Sequence, residues 1–165
     1  MKTMQNILEL AERAGRRLQE RGLLLATTES CTGGGVAQAI TEIAGSSGWF
    51  ECGFVTYSNA SKMNLLKVPE SLLAQYGAVS KETAAAMCRG ALANSRATVA
   101  LSTTGIAGPD GGVPGKPVGL VCFGWAHGAQ VHVDQKIFSG DRHAVREQSV
   151  AHALQGLLDF LDTRQ

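Results

Sequence analysis

Apolar residues recur at helical spacing over roughly residues 3–21, where Ile7, Leu10, Ala11, Ala14 and Leu18 share one face and Gly22 follows as a stop. Leu23-Leu24-Leu25-Ala26-Thr27-Thr28 breaks that period with a short apolar run lacking alternation, which predicts a strand buried on both faces. Val36, Ala37, Ile40, Ile43 and Ala44 restore the helical period as far as Gly45-Ser46-Ser47-Gly48. Residues 49–57, rich in aromatic and β-branched side chains, predict a second strand. Between Ser58 and Gly77 the pattern predicts short helices interrupted by Pro69, after which Ser80 is placed to cap a helix carrying Ala84, Met87, Cys88, Ala91 and Leu92. Glu82 in its first turn suits the helix dipole. Residues 97–103 read as the next strand, and residues 104–117, with five glycines and three prolines, read as a loop. Residues 118–126 and 131–138 read as a hairpin joined through His127-Gly128-Ala129-Gln130, and Asp141 is placed to cap a last helix ending near Leu161. This alternation predicts a single three-layer α/β/α domain over residues 1–165, with a mixed, mostly parallel sheet.

Composition narrows the function classes. With 165 residues, 44% of them hydrophobic, the chain is long enough for one full core and short for two. A net charge of +1 supplies no strong field for nucleic acid or a membrane surface, so any anionic partner must be caught locally. Assembly into a homo-oligomer is left open. Charged residues interrupt the first 22 positions, unlike a signal peptide, and no run approaches the roughly 18 apolar residues of a membrane span. Cys31, Cys52, Cys88 and Cys122 form no Cys-x-x-Cys pair, and His127, His132, His143 and His152 lack metal-ligand spacing. Reduced thiols, a cytoplasmic location, and no metal or other cofactor are expected.

Thr28-Glu29-Ser30-Cys31-Thr32-Gly33-Gly34-Gly35 lies where a buried strand hands over to a helix. A helix start offers unpaired N–H groups that can hold an anion or stabilise an oxyanion, and the glycines let a substrate approach the backbone. The plainer reading makes Ser30 or Thr32 an N-cap and the glycines a tight turn. Tyr57-Ser58-Asn59-Ala60-Ser61-Lys62 begins at the end of the next strand and shares a rim with Ser30 if the two strands run parallel. Lys62 is then a candidate base, provided that burial lowers its ordinary pKa of about 10.4; otherwise it is a solvated surface lysine.

The loop Thr104-Gly105-Ile106-Ala107-Gly108-Pro109-Asp110-Gly111-Gly112 fails the P-loop pattern, because Lys116 is followed by Pro117 and the upstream glycine is missing. It remains a candidate substrate loop with backbone donors. Arg146, Val150, Leu154, Leu157 and Leu161 form one stripe of the last helix, which turns Arg146 inward. There it would pair with Glu29 or Asp110, hold a substrate phosphate, or raise the positive potential beside Lys62. A Ser30, His143, Asp141 triad has no local support, and Cys31 reads more readily as a small buried hydrophobe than as a rival nucleophile. A non-catalytic module in which Ser30, Lys62 and Arg146 only ligate phosphate is the alternative of another class.

Six strings in one order carry a resemblance over nearly the whole chain: Glu29-Ser30-Cys31-Thr32-Gly33-Gly34, Tyr57-Ser58-Asn59-x-x-Lys62, Gly77-Ala78-Val79-Ser80, Gly105-Ile106-Ala107-Gly108-Pro109 with Asp110-Gly111-Gly112, Lys116-Pro117-Val118-Gly119, and Ser139-Gly140-Asp141-Arg142. Together they resemble the CinA C-terminal domain family. That resemblance implies hydrolysis of nicotinamide mononucleotide to nicotinic acid mononucleotide and ammonia, in pyridine nucleotide salvage, with Ser30 and Lys62 as a catalytic dyad. It also implies site positions at Tyr57, Asn59, Thr104 and Arg146. To these the reading of the loops adds Thr32, Gly33, Gly34 and Gly105 as substrate-binding positions. The separate pyrophosphatase activity of longer members belongs to an N-terminal domain and is not expected of this chain.

Overall fold

The computed structural model describes residues 2–163. Helices α1 (Lys2–Glu20), α2 (Gly35–Thr41), α3 (Asn59–Leu66), α4 (Glu70–Tyr76), α5 (Lys81–Ala93) and α6 (Arg142–Thr163) surround strands β1 (Leu25–Glu29), β2 (Phe50–Val55), β3 (Val99–Gly105), β4 (Leu120–His127) and β5 (Gln130–Ile137). The strands form one sheet in the order β2-β1-β3-β4-β5. Strand β1 pairs in parallel with β2 and β3, whereas β4 is antiparallel to both β3 and β5. Four strands therefore run one way and β4 alone runs the other, the mixed sheet that the hairpin pattern predicts.

The period of two along a strand divides the core between the sheet's faces. Val99, Leu101, Val121, Phe123 and Trp125 pack with α1, α2 and α6, while Ala100, Ala126, Met87, Cys88 and Leu66 form a second cluster with α3, α4 and α5. Small side chains on that second face let its helices lie close. At Gly90 of α5 a Cβ atom would come within 2.0 Å of the Leu66 carbonyl oxygen, so this glycine fixes how near α5 approaches the end of α3. Among the described residues no helix is long and apolar enough to cross a membrane.

Several boundaries move for identifiable reasons. Strand β1 starts at Leu25 rather than Leu23, because the Leu23 N–H closes α1 on the Leu18 carbonyl and the Leu24 N–H donates to the Thr98 hydroxyl. Thr104 and Gly105, expected in the loop, extend β3 by pairing with Cys122 and Val121. The hairpin closes through two residues, Gly128 and Ala129, with Gly128 at φ +60°, rather than through four. Ser80 caps α5 by accepting from the Thr83 N–H at 3.0 Å, and Asp141 caps α6 by accepting from the Ala144 N–H at 2.9 Å, both as expected.

Candidate active site

Strands β1, β2, β3 and β5 share a direction, so their C-terminal ends lie along one edge of the sheet. In open α/β sheets that edge is where ligands bind. Ser30 follows β1 directly, Tyr57 follows β2, Gly105 ends β3, and Arg142 opens α6 five residues beyond β5. A cavity of about 280 Å³ collects them, its floor and walls including Ser30, Cys31, Tyr57, Lys62, Thr104 and Gly105.

Lys62 enters from α3. Ser58 and Ser61 form a capping box at the start of that helix, each side chain accepting from the other residue's N–H, and Lys62 stands next in the chain. Lys62 is only 1% exposed. Nζ lies 3.1 Å from Ser30 Oγ and donates to the Thr56 carbonyl at 2.7 Å. Burial pushes the Lys62 pKa down, opposed by a smaller influence from Cys31. A neutral amine satisfies both contacts at once, donating to Thr56 and accepting the Ser30 hydroxyl proton. Burial acts in the opposite sense on the adjacent thiol, raising the Cys31 pKa to about 12. Cys31 is thus held as a thiol, the small buried side chain that its surroundings predict.

The turn after Ser30 is pinned from below by Glu29, whose role the sequence patterns do not reveal. This fully buried carboxylate accepts from the Thr32 hydroxyl at 2.5 Å, the Val36 N–H at 2.9 Å and the Ala37 N–H at 3.1 Å. Glu29, not Ser30 or Thr32, therefore caps α2, whose N-cap residue Gly34 makes no side-chain bond. Gly33 and Gly34, at φ +60° and +100°, turn the chain back over this carboxylate. They stay outside the residues that line the cavity. The Gly33 N–H is engaged by the Ser30 carbonyl and the Gly35 N–H by that of Thr32. Among the described residues the N–H groups of Cys31 and Thr32 meet no protein acceptor, and Cys31 is the one lining the cavity.

Other expected positions divide. Thr104 and Gly105 line the cavity, with the Thr104 hydroxyl donating to the Ala78 carbonyl at 2.7 Å and so holding the 78–79 segment against it. Asn59 is exposed on the first turn of α3 and outside the lining, and neither it nor Tyr57 hydrogen-bonds Lys62. Arg146 pairs with neither Glu29 nor Asp110: it donates to the Cys31 carbonyl at 3.2 Å and the Thr32 carbonyl at 3.4 Å, behind the turn. Together with Thr32 and His143 it lines a separate, mainly apolar groove of about 330 Å³ between α1, α2 and α6. His143 pairs there with Glu147 at 3.0 Å and Asp141 caps α6, so no Ser-His-Asp triad assembles on Ser30. The arginine inside the active cavity is Arg142, which the helical stripe does not single out; its only sequence signal is the Ser139-Gly140-Asp141-Arg142 string.

The chain is similar to known proteins over nearly its whole length. A protein from Pseudomonas putida named nicotinamide-nucleotide amidohydrolase PncC is 54% identical over 157 residues, covering 95% of this chain and 98% of that protein. One of the same name from Escherichia coli K12 is 51% identical, covering 94% of each. The crystal structure of a competence-damaged protein (CinA) superfamily member from Klebsiella pneumoniae superposes with a TM-score of 0.93 at 37% identity, covering 96% of this chain and 99% of that one. The family model described as the CinA C-terminal domain matches residues 7–161, and the chain belongs to that family.

Proposed function

We propose that this chain hydrolyses the carboxamide of nicotinamide mononucleotide, releasing ammonia and nicotinic acid mononucleotide, with Ser30 as nucleophile and Lys62 as its base. The observation that carries the reading is the buried Lys62 amine at 3.1 Å from Ser30 Oγ, in surroundings that lower its pKa. The names of the relatives supply the substrate.

On this reading neutral Lys62 removes the Ser30 hydroxyl proton as Oγ bonds to the carboxamide carbon. The Cys31 N–H donates to the oxyanion that forms. Protonated Lys62 then returns its proton to the amide nitrogen, the C–N bond breaks, and ammonia leaves an acyl-enzyme ester. In the second half Lys62 takes a proton from water as the water oxygen attacks the ester, and Ser30 Oγ departs with that proton. Thr56 orients the lysine through its carbonyl. Tyr57 is the aromatic ring of the lining, and a π face attracts the positively charged pyridinium ring of this substrate.

The test is ammonia release from nicotinamide mononucleotide by the purified chain, set beside equilibrium binding of the same ligand. Turnover by wild type and its loss in Ser30→Ala, with binding retained within about tenfold, are expected because the hydroxyl performs chemistry rather than holding the ligand. Binding without turnover by wild type would leave a phosphate-binding module instead.

A further inference from the structure

A substrate with a phosphate needs a cation, and among the described residues two line the active cavity: Lys62 and Arg142. Lys62 lies on the buried floor, and a base must be neutral before it reacts. Arg142 is exposed at the first residue of α6. Its Nη1 donates to the Gly108 carbonyl at 2.7 Å and its Nη2 to the Tyr57 hydroxyl at 2.9 Å. The guanidinium thus bridges the segment after β2 and the glycine loop after β3. Among the described residues it makes no ion pair, although Asp110 belongs to the same lining. A guanidinium carries five N–H donors, and two contacts leave the rest for a phosphate. Beside it, Gly108 and Gly111 of the lining have N–H groups that meet no protein acceptor among the described residues. Arg146 differs in place, since it lines the other groove and its guanidinium donates to the Cys31 and Thr32 carbonyls behind the turn.

Resting on the proposed amidohydrolase reading, we infer that Arg142 is the specificity residue that binds the 5′-phosphate of the substrate, and that Arg146 is a positioning residue for the turn carrying the Cys31 N–H. Arg142 and the loop at Gly108 and Gly111 make a site for a ribose phosphate, while Lys62 stays free of the phosphate and available for the proton.

The experiment measures steady-state kinetics with nicotinamide mononucleotide and calorimetric binding of ribose 5-phosphate, for wild type, Arg142→Gln and Arg146→Gln. A lost charge-assisted contact predicts that Arg142→Gln raises KM about tenfold to hundredfold, with kcat within about threefold, and weakens ribose 5-phosphate by a similar factor. Arg146→Gln is expected to lower kcat while keeping ribose 5-phosphate affinity within about threefold. The assignment is overturned if Arg142→Gln lowers kcat with KM unchanged, if Arg146→Gln is the variant that loses ribose 5-phosphate, or if wild type does not bind that ligand. Ribose 5-phosphate binding that depends on Arg142, with no ammonia released by wild type, would fail the amidohydrolase reading and keep this one.

Discussion

Two segments leave the same edge of the sheet and meet at one cavity, yet they are held in opposite ways. The turn after β1, residues 30–35, is fastened from beneath by the Glu29 carboxylate, from the side by the Thr103 hydroxyl on Thr32 at 2.8 Å, and from behind by Arg146. The segment after β3, residues 106–119, is tied mainly at its ends, where Ile106 and Gly119 bond across to Leu120 and Ile106, and by a bridge between Val113 and Lys116. The first segment is fixed by side chains from three sides and leaves the Cys31 and Thr32 N–H groups unengaged beside the nucleophile, whereas the second leaves unengaged donors along a loop tied at its ends. The difference fits the tasks proposed for them: a nucleophile needs a fixed position before substrate arrives, whereas a ligand-binding loop needs unengaged N–H groups that the ligand itself completes.

The largest expected effect breaks the fixed side at its reacting atoms. Lys62→Arg keeps the positive charge but cannot give up a proton in the working pH range, so kcat should fall by about 10³-fold or more if Lys62 is the base. A mere phosphate ligand would tolerate the change with a shift in KM. In wild type the rate per bound enzyme should rise with pH through the lowered Lys62 value, at lower pH than a solvated lysine would allow. Substantial kcat in Lys62→Arg, measured as ammonia released at saturating substrate, would sink the dyad.

Next comes the support beneath the turn. Glu29→Gln places an amide N–H where a carboxylate oxygen now accepts, against the Thr32 hydroxyl or a helix N–H. The loss of charge-assisted bonds in a fully buried position should cost about 2–3 kcal/mol in urea unfolding, and kcat should drop with it. No matching change on the other segment is expected to cost as much. An unfolding midpoint equal to that of wild type would show that the turn holds itself.

The residues that sequence patterns reveal and those they hide differ by the range of the interaction. Ser30 and Lys62 are legible because each follows a recognisable strand end, and the parallel pairing of β1 with β2 is what places them on one rim. Ser80 and Asp141 are legible as caps because they bond the N–H groups three residues on. Glu29 is not, since a capping box places its acid three residues after the N-cap, and this carboxylate acts from five residues before Gly34 through a turn of two left-handed glycines. The stripe of α6 correctly turns Arg146 inward, but a period on one helix cannot say which of two cavities lies beneath it. That depends on α1 and α2, which pack beside α6 and line the groove with it.

Lys62 also has a smaller thermodynamic signature. Its pKa is lowered in the folded protein, so between that lowered value and about 10.4 the unfolded chain binds more protons than the folded one, and stability must rise with pH. The destabilisation is complete below the folded value and disappears as pH climbs to the unfolded one. Lys62→Met lacks this titration. Wild type should therefore gain on Lys62→Met in urea unfolding from pH 7 to 10, by at most about 1.4 kcal/mol per pH unit. A difference independent of pH would mean that the amine is as well solvated in the folded chain as in the unfolded one.

The smallest effect is expected beside the nucleophile, at Cys31. The residue is 6% exposed and burial raises its thiol pKa to about 12, so almost none is thiolate at neutral pH, and a nucleophilic role would require the form that burial suppresses. Its proposed contribution is the backbone N–H, which alanine keeps. Cys31→Ala should leave kcat within about threefold and cost about 1 kcal/mol for the lost buried sulfur. Ser30→Ala, by contrast, keeps the same turn and loses the reacting oxygen. Measured side by side, the pair separates the two neighbouring atoms: retained turnover in Ser30→Ala with loss in Cys31→Ala would transfer the nucleophile to sulfur and require a mechanism that first draws the thiol proton.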